Sequence, residues 1–191
     1  EEAGAEEREP LDAVLRLAEA LDPDPAAWAK RRDEELAAQL RAAGFEASLE
    51  RPEPDESPSD DAAPFAGFAT PNDLVTGRPH PLVAVALFPV HAGFEVPALV
   101  GWGGWNACPY PEEHVSLLRH FHERFGAELV CMTQDVLELE VTRPPAHFED
   151  ALPLARLMHA YCPDIVEQGV GSVGALASGL VGGTSWFFWW D

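Results

Sequence analysis

Gly103-Gly104-Trp105-Asn106-Ala107-Cys108-Pro109-Tyr110-Pro111-Glu112-Glu113-His114 is the stretch around which the chain is organised. Two adjacent glycines allow φ > 0 or close backbone approach, and Asn106 tolerates the same left-handed region. Pro109 and Pro111 each preset φ, so a chain reversal is expected here. Pro111 suits the first position of a helix, and Glu112 and Glu113 then face the positive end of its dipole. That helix is expected to run to about Phe125, with Gly126 as its cap.

After this helix, Glu128 to Thr133 and Val136 to Thr142 are β-type runs separated by Gln134-Asp135, a hairpin signal. Pro144-Pro145 ends the second run, and a helix from about Phe148 to Tyr161 follows, with Pro153 in its early turns. Ser172 is the candidate cap of a Gly- and Ala-rich helix. Trp186-Phe187-Phe188-Trp189-Trp190-Asp191 reads as a final strand inserted into a sheet, because five consecutive aromatics left uncovered invite aggregation. Upstream of the glycine turn, Leu82 to Phe88 is a continuous apolar run that suits a buried strand. Pro97 to Trp102 reads as another extended segment. The order predicts an α+β domain with helices packed on a mixed sheet, close to a split β-α-β-β-α-β plan.

The N-terminal third differs in kind. Leu11, Val14, Leu15, Ala18 and Leu21 fall at helical spacing. Asp22-Pro23-Asp24-Pro25 interrupts them, and a second helix is expected from the Asp24 cap through Trp28, Leu36 and Leu40 to Gly44. Residues 1–50 thus predict an acidic helical hairpin. Residues 51–64, with prolines at 52, 54, 58 and 64, read as a disordered linker, and 65–191 form the α+β domain.

The chain of 191 residues carries 12 Lys and Arg against 33 Asp and Glu, a net charge of −21, with Lys30 its one lysine. Such a surface repels phosphate backbones, which argues against nucleic acid as a ligand and suits a basic protein partner or plain solubility. Residues 1–64 hold 19 of the acids, while all seven histidines, all three cysteines and five of six tryptophans come later. Any site is therefore expected after residue 64. No apolar run approaches the roughly 18 residues of a membrane span, and the first residues show no secretory leader. The chain begins at Glu1 rather than Met, which leaves its natural start open. Three widely spaced cysteines point to a reducing, cytoplasmic setting.

Taken together, Gly103-Gly104-Trp105-Asn106-x-Cys108-Pro109, Phe125-Gly126-Ala127-Glu128, Tyr161-Cys162-Pro163-Asp164-Ile165-Val166-x-Gln168-Gly169 and the aromatic C-terminus resemble the bacterial family called domain of unknown function 4253, frequent in actinomycetes. The resemblance covers about residues 80–191. It implies a shared fold and carries no activity over to this chain.

Candidate chemistry clusters in the same motifs. Cys108 just before a helix start, with His114 six residues on, Asn106 as an orienting amide and Asp164 as a further carboxylate, would make a thiol-dependent or hydrolytic set. The competing reading is a small buried cysteine. Cys108, His114, His122 and Cys162 offer metal-binding atoms, but His114 and His122 lie two turns apart and no ligand-spaced motif exists, so no metal is assigned. Asp164 and Asp191 read more naturally as a cap and a soluble terminus than as an acid–base pair. The glycines of Gly169-Val170-Gly171-Ser172-Val173-Gly174 lack the preceding strand and the basic residue of a nucleotide loop, and no cofactor is implied. A binding surface drawn from these motifs uses Gly103, Gly104, Trp105, Tyr161, Trp189 and Asp191. The leading expectation is a non-enzymatic protein-binding module, immunity-like with a basic partner; the alternative is the Cys108 enzyme.

Overall fold

The computed structural model describes residues 8–21, 24–42, 54–72 and 76–191. The expected break at Asp22-Pro23, the helix end at Gly44 and the first three linker residues lie outside them. Among the described residues two N-terminal helices, α1 (Arg8–Ala20) and α2 (Pro25–Ala42), precede residues 54–72 and 76–92, which are irregular apart from an isolated bridge between Asn72 and Pro79. A single 3-10 turn, Gly93–Glu95, leads into the short α3 (Val96–Val100), followed by α4 (Pro111–Phe125), β1 (Ala127–Met132), β2 (Val136–Val141), α5 (Phe148–Tyr161), a π-helical turn (Ile165–Val170), α6 (Val173–Leu180) and β3 (Ser185–Trp189). The fold is α+β, as the sequence predicts.

The sheet is antiparallel with the order β1-β2-β3. Ala127 pairs with Val141 at one end of the hairpin and Met132 with Leu137 at the other, with a bulge between Leu129 and Cys131. Val136 opposes Trp189, and Glu140 opposes Ser185. Alternation along β2 turns Leu137, Leu139 and Val141 toward the helices. They join Leu117, Leu118 and Phe121 of α4, Leu154 and Met158 of α5, and Trp186, Phe188 and Trp190 in one core.

The glycine turn forms as its residues dictate. Asn106 sits at φ 48°, the one described non-glycine with positive φ, and Gly103 and Gly104 at 118° and 84°. Gly126 closes α4 in the left-handed conformation, its N–H donating to the carbonyls of His122 and Phe121. Ser172 caps α6, its Oγ accepting from the Ala175 N–H at 3.0 Å.

Four expectations are corrected. Leu82 to Phe88 is no strand: it is irregular, and Leu82, Val85 and Leu87 are 85, 91 and 95% exposed. The split plan therefore lacks its first strand. Val96–Val100 is helical rather than extended, because Gly101 at φ 64° supplies a helix stop that the apolar pattern alone does not reveal. The last strand is not inserted into the sheet; β3 is one of its two edge strands, β1 the other. Nor do α1 and α2 pack mainly on each other as a hairpin: α1 lies on α3 and α4, and α2 on α5.

The stretch expected as a disordered linker is irregular over its described part, as four prolines among acids require, yet it is tied down. The Asp55 carbonyl accepts from the Gly174 N–H at 2.9 Å, Ser59 N–H donates to Ser178 Oγ, and Arg156 grips Glu56 through two 2.6 Å bonds. A Cβ on Gly174 would stand 2.0 Å from the Ser57 carbonyl, so a glycine there lets the strap lie on α6. Further on, the Ala69 and Thr70 N–H groups donate to the buried Glu138 carboxylate, which brings the same stretch across β2.

Candidate functional site

The glycine turn delivers Cys108 to the start of α4, and one turn into that helix His114 points back at it. Cys108 Sγ and His114 Nε2 are 3.4 Å apart, and His114 Nδ1 lies 2.6 Å from the Tyr161 hydroxyl, on the last turn of α5. One ring nitrogen donates and the other accepts. Gly103 makes this possible, since a Cβ there would come within 2.3 Å of the Pro109 carbonyl and 2.8 Å of His114 Cδ2. The imidazole is enclosed by rings, with centroids of Trp102, Tyr161 and Trp190 at 4.8, 5.4 and 5.5 Å. His114 and Tyr161 are 0% exposed and Cys108 3%.

Burial sets the electrostatics. Loss of solvation, with the nearby Arg32 guanidinium adding to it, lowers the His114 pKa to about 3. The same burial pushes the Cys108 thiol up to about 12, against the N–H of Gly104, and raises Tyr161 well above a free phenol. At neutral pH the trio is thiol, neutral imidazole and phenol. A thiolate–imidazolium nucleophile needs the opposite pair of shifts.

The N-terminal helices close this centre from outside. Trp28 Nε1 donates to Glu113 Oε1 at 3.1 Å, the Tyr110 N–H donates to Glu113 Oε2 at 2.9 Å, and Arg32 donates to the Ala107 carbonyl at 2.9 Å. The sequence groups Tyr161 with the turn glycines as a binding surface, not as a partner of His114, and gives no sign of Trp28; no spacing reveals either bond, since they span 47 and 85 residues.

Asn106 and Asp164 do not join Cys108 and His114. They meet at the C-terminus: Asn106 Nδ2 donates to the Asp191 carbonyl at 2.8 Å, and the Asp191 N–H donates to Asp164 Oδ2 at 3.1 Å. Asp164 makes no side-chain cap to the turn that follows it; its second oxygen accepts from Gln168 instead. The proposed four-residue constellation is thus split in two. Of the other expected binding residues, Tyr161 is fully buried, Trp105 and Trp189 are half-buried, and Gly104 and Asp191 are exposed, with the Tyr110 ring standing where a Cβ on Gly104 would lie. Cys162 is buried, its thiol donating to the Trp189 carbonyl at 2.9 Å and pushed up to about 12 by burial. His122 pairs instead with Glu128, Nδ1 to Oε1 2.8 Å. Among the described residues no three His, Cys, Asp or Glu side chains gather where they could hold a metal ion.

An open cavity lies elsewhere, beside β3. It holds about 460 Å³ and is lined by Ile165, Leu176 and Leu180, by Phe65 and Phe68, and by Trp186 and Phe187 of β3. Trp186 is 2% exposed, and its Nε1 has no hydrogen-bond partner among the described residues. The strand beside the cavity pairs with β2 on its inner side and with no strand on its outer side. Trp190 N–H donates inward to Asp135, so the alternation of an antiparallel strand turns the main-chain groups of Phe187 and Trp189 outward. Cys162 takes the Trp189 carbonyl. The Phe187 N–H and carbonyl take no bond among the described residues.

An α+β domain with an enclosed polar centre and an open sheet edge at β3 is the class that these features define. The family model of Domain of unknown function (DUF4253) matches residues 84–191, and the chain belongs to that family. No curated protein and no solved structure matches the chain. Among the described residues no helix is long and apolar enough to cross a membrane.

Proposed function

We propose that the chain is a non-enzymatic protein-binding module that receives an extended segment of its partner along the outer edge of β3. The observation that carries this reading is the unpaired main chain of Phe187 beside an apolar cavity of about 460 Å³. An incoming strand gains main-chain bonds from such an edge and side-chain selectivity from the pocket next to it. The exposed acids Glu167 and Asp191 near that edge favour a basic segment. Three free cysteines fit a cytoplasmic, reducing setting, and the family resemblance fits an actinomycete source.

The 3.4 Å contact of Cys108 with His114 is what favours the alternative, a thiol-dependent or hydrolytic enzyme. Burial of both groups weighs against it, as does the separation of Asn106 and Asp164 from them. One pair of measurements tests both readings. Titration of the ¹⁵N-labelled protein with a Lys-flanked, eight-residue Val/Leu peptide is expected to shift the amides of Phe187 and Trp189; unchanged spectra at millimolar peptide would remove the binding reading. Iodoacetamide labelling, resolved by site, is expected to leave Cys108 unmodified in the native protein from pH 6 to 9. Rapid labelling with a midpoint below the free-thiol value of about 8.5 would restore the enzyme.

A further inference from the structure

The molecule holds two features that lack a counterpart: an edge with no strand on it, and a strand-like run with no sheet. Leu82-Val83-Ala84-Val85-Ala86-Leu87-Phe88 is uncharged over seven residues and rich in β-branched and large apolar side chains. It carries Leu82, Val85 and Leu87 almost fully in solvent. A contiguous exposed patch of this kind marks an interaction surface. The family match begins at residue 84, inside the run, so the run belongs to the domain rather than to an appendage.

The edge asks for such a run. A strand laid along β3 would border the cavity lined by Ile165, Leu176, Leu180, Phe65 and Phe68. Such a lining favours an apolar segment, and a run apolar at odd and even positions alike has the pattern of a covered strand. The run is also placed in the one suitable charge context of an acidic chain. Between Asp73 and Glu95 there is no acid, while Arg78, His80 and His91 flank the apolar residues. Opposite them stand Asp164, Glu167 and Asp191 at the end of the edge.

We propose that the occupant of the β3 edge is Leu82–Phe88 of a second copy of this chain, each copy lending its run to the other. The inference rests on the binding reading above and names the partner of that site. The bonds expected are from the Phe187 N–H and to its carbonyl, with Val83, Val85 and Leu87 on one wall and Leu82, Ala84, Ala86 and Phe88 on the other. Two copies of charge −21 repel, so the dimer tightens with added salt rather than loosening.

Sedimentation velocity of the full chain at micromolar concentration tests this. The expected mass is twice 20.8 kDa. The double variant Val85→Lys, Leu87→Lys changes solvent-exposed positions and keeps the protomer folded, and Phe187→Pro removes an outward N–H that an edge strand can spare. Each variant alone is expected to weaken dimerisation at least tenfold. Mixed one to one, they leave one intact edge facing one intact run and recover part of the dimer. A dimer that survives both changes, or a monomer throughout, overturns the proposal. A monomer whose melting temperature falls in the double variant would mean that the run docks on its own chain, which also overturns it. If the monomer still shifts its Phe187 amide with the Lys-flanked peptide, the binding reading stands without the self-partner; if it does not, both fall.

Discussion

The Cys108–His114–Tyr161 centre and the β3 edge use the same kinds of group in opposite states. In the first, a thiol, an imidazole and a phenol are buried and each has a partner, with three aromatic rings around the imidazole. In the second, main-chain groups of Phe187 and the indole N–H of Trp186 lack partners next to an apolar wall. The difference teaches where to look for function in this chain. Reactive residue types attract attention in the sequence, but here they are buried, with the thiol protonated and the imidazole neutral at neutral pH. Plain backbone attracts none, and here it is the group left with bonds to make.

If the buried centre is structural, breaking it must cost stability and nothing else. The largest effect is expected from Trp190→Ala. The side chain is 1% exposed, stacks near Phe188 and Tyr161, and donates from Nε1 to the Tyr161 carbonyl at 3.2 Å. Its loss leaves a cavity and should lower unfolding free energy by about 3–5 kcal/mol in guanidinium titrations. A loss under about 1 kcal/mol would mean that the aromatic centre does not hold the fold.

The second effect is a pH dependence. His114 is neutral in the native state down to pH about 3, whereas in the unfolded chain it titrates at about 6.5. The unfolded state therefore binds the extra proton between those values. Stability from this group is complete above pH 6.5 and is lost as pH falls toward 3. Between pH 6.5 and 5 the expected loss is about 2 kcal/mol, from roughly 1.4 kcal/mol per pH unit for one proton. In His114→Gln that part of the slope should vanish. A variant with the same pH slope as the native sequence would show that the imidazole is not held neutral.

Tyr161→Phe comes third. It keeps the ring and deletes the hydroxyl 2.6 Å from His114 Nδ1, leaving a buried ring nitrogen unpartnered at a cost of about 1–3 kcal/mol in the same titrations. A neutral effect would mean that the Tyr161 hydroxyl adds no net stability through its bond to His114, whichever ring nitrogen carries the proton.

How much of this was legible depends on whether the signal is local. The turn at Gly103–Asn106, the stop of α4 at Gly126, the Ser172 cap and the β1–β2 hairpin were read correctly because each depends on residues within one turn of chain. The pairing of His114 with Tyr161, and of Trp28 with Glu113, rests on contacts 47 and 85 residues apart and leaves no periodic trace. The same limit explains why Asn106 and Asp164 looked like partners of Cys108. They do converge with another sequence-selected residue, Asp191, but through its main chain, which carries no residue-type signature.

The smallest expected effect is the most informative about the edge. Val85 is 91% exposed, and in an isolated protomer Val85→Lys should change unfolding free energy by no more than about 0.5 kcal/mol, as surface substitutions do. The buried-strand reading of the same seven residues demands a loss several times larger, because a lysine cannot be covered on both sides of a sheet without a partner. Measured at concentrations low enough to keep protomers apart, a near-neutral result places the run in solvent; measured at high concentration, a loss that grows with protein concentration places it on another copy. The run's behaviour as a strand thus becomes a function of concentration. That is the physical reason an apolar pattern can be correct about chemistry while misplacing the segment within one chain.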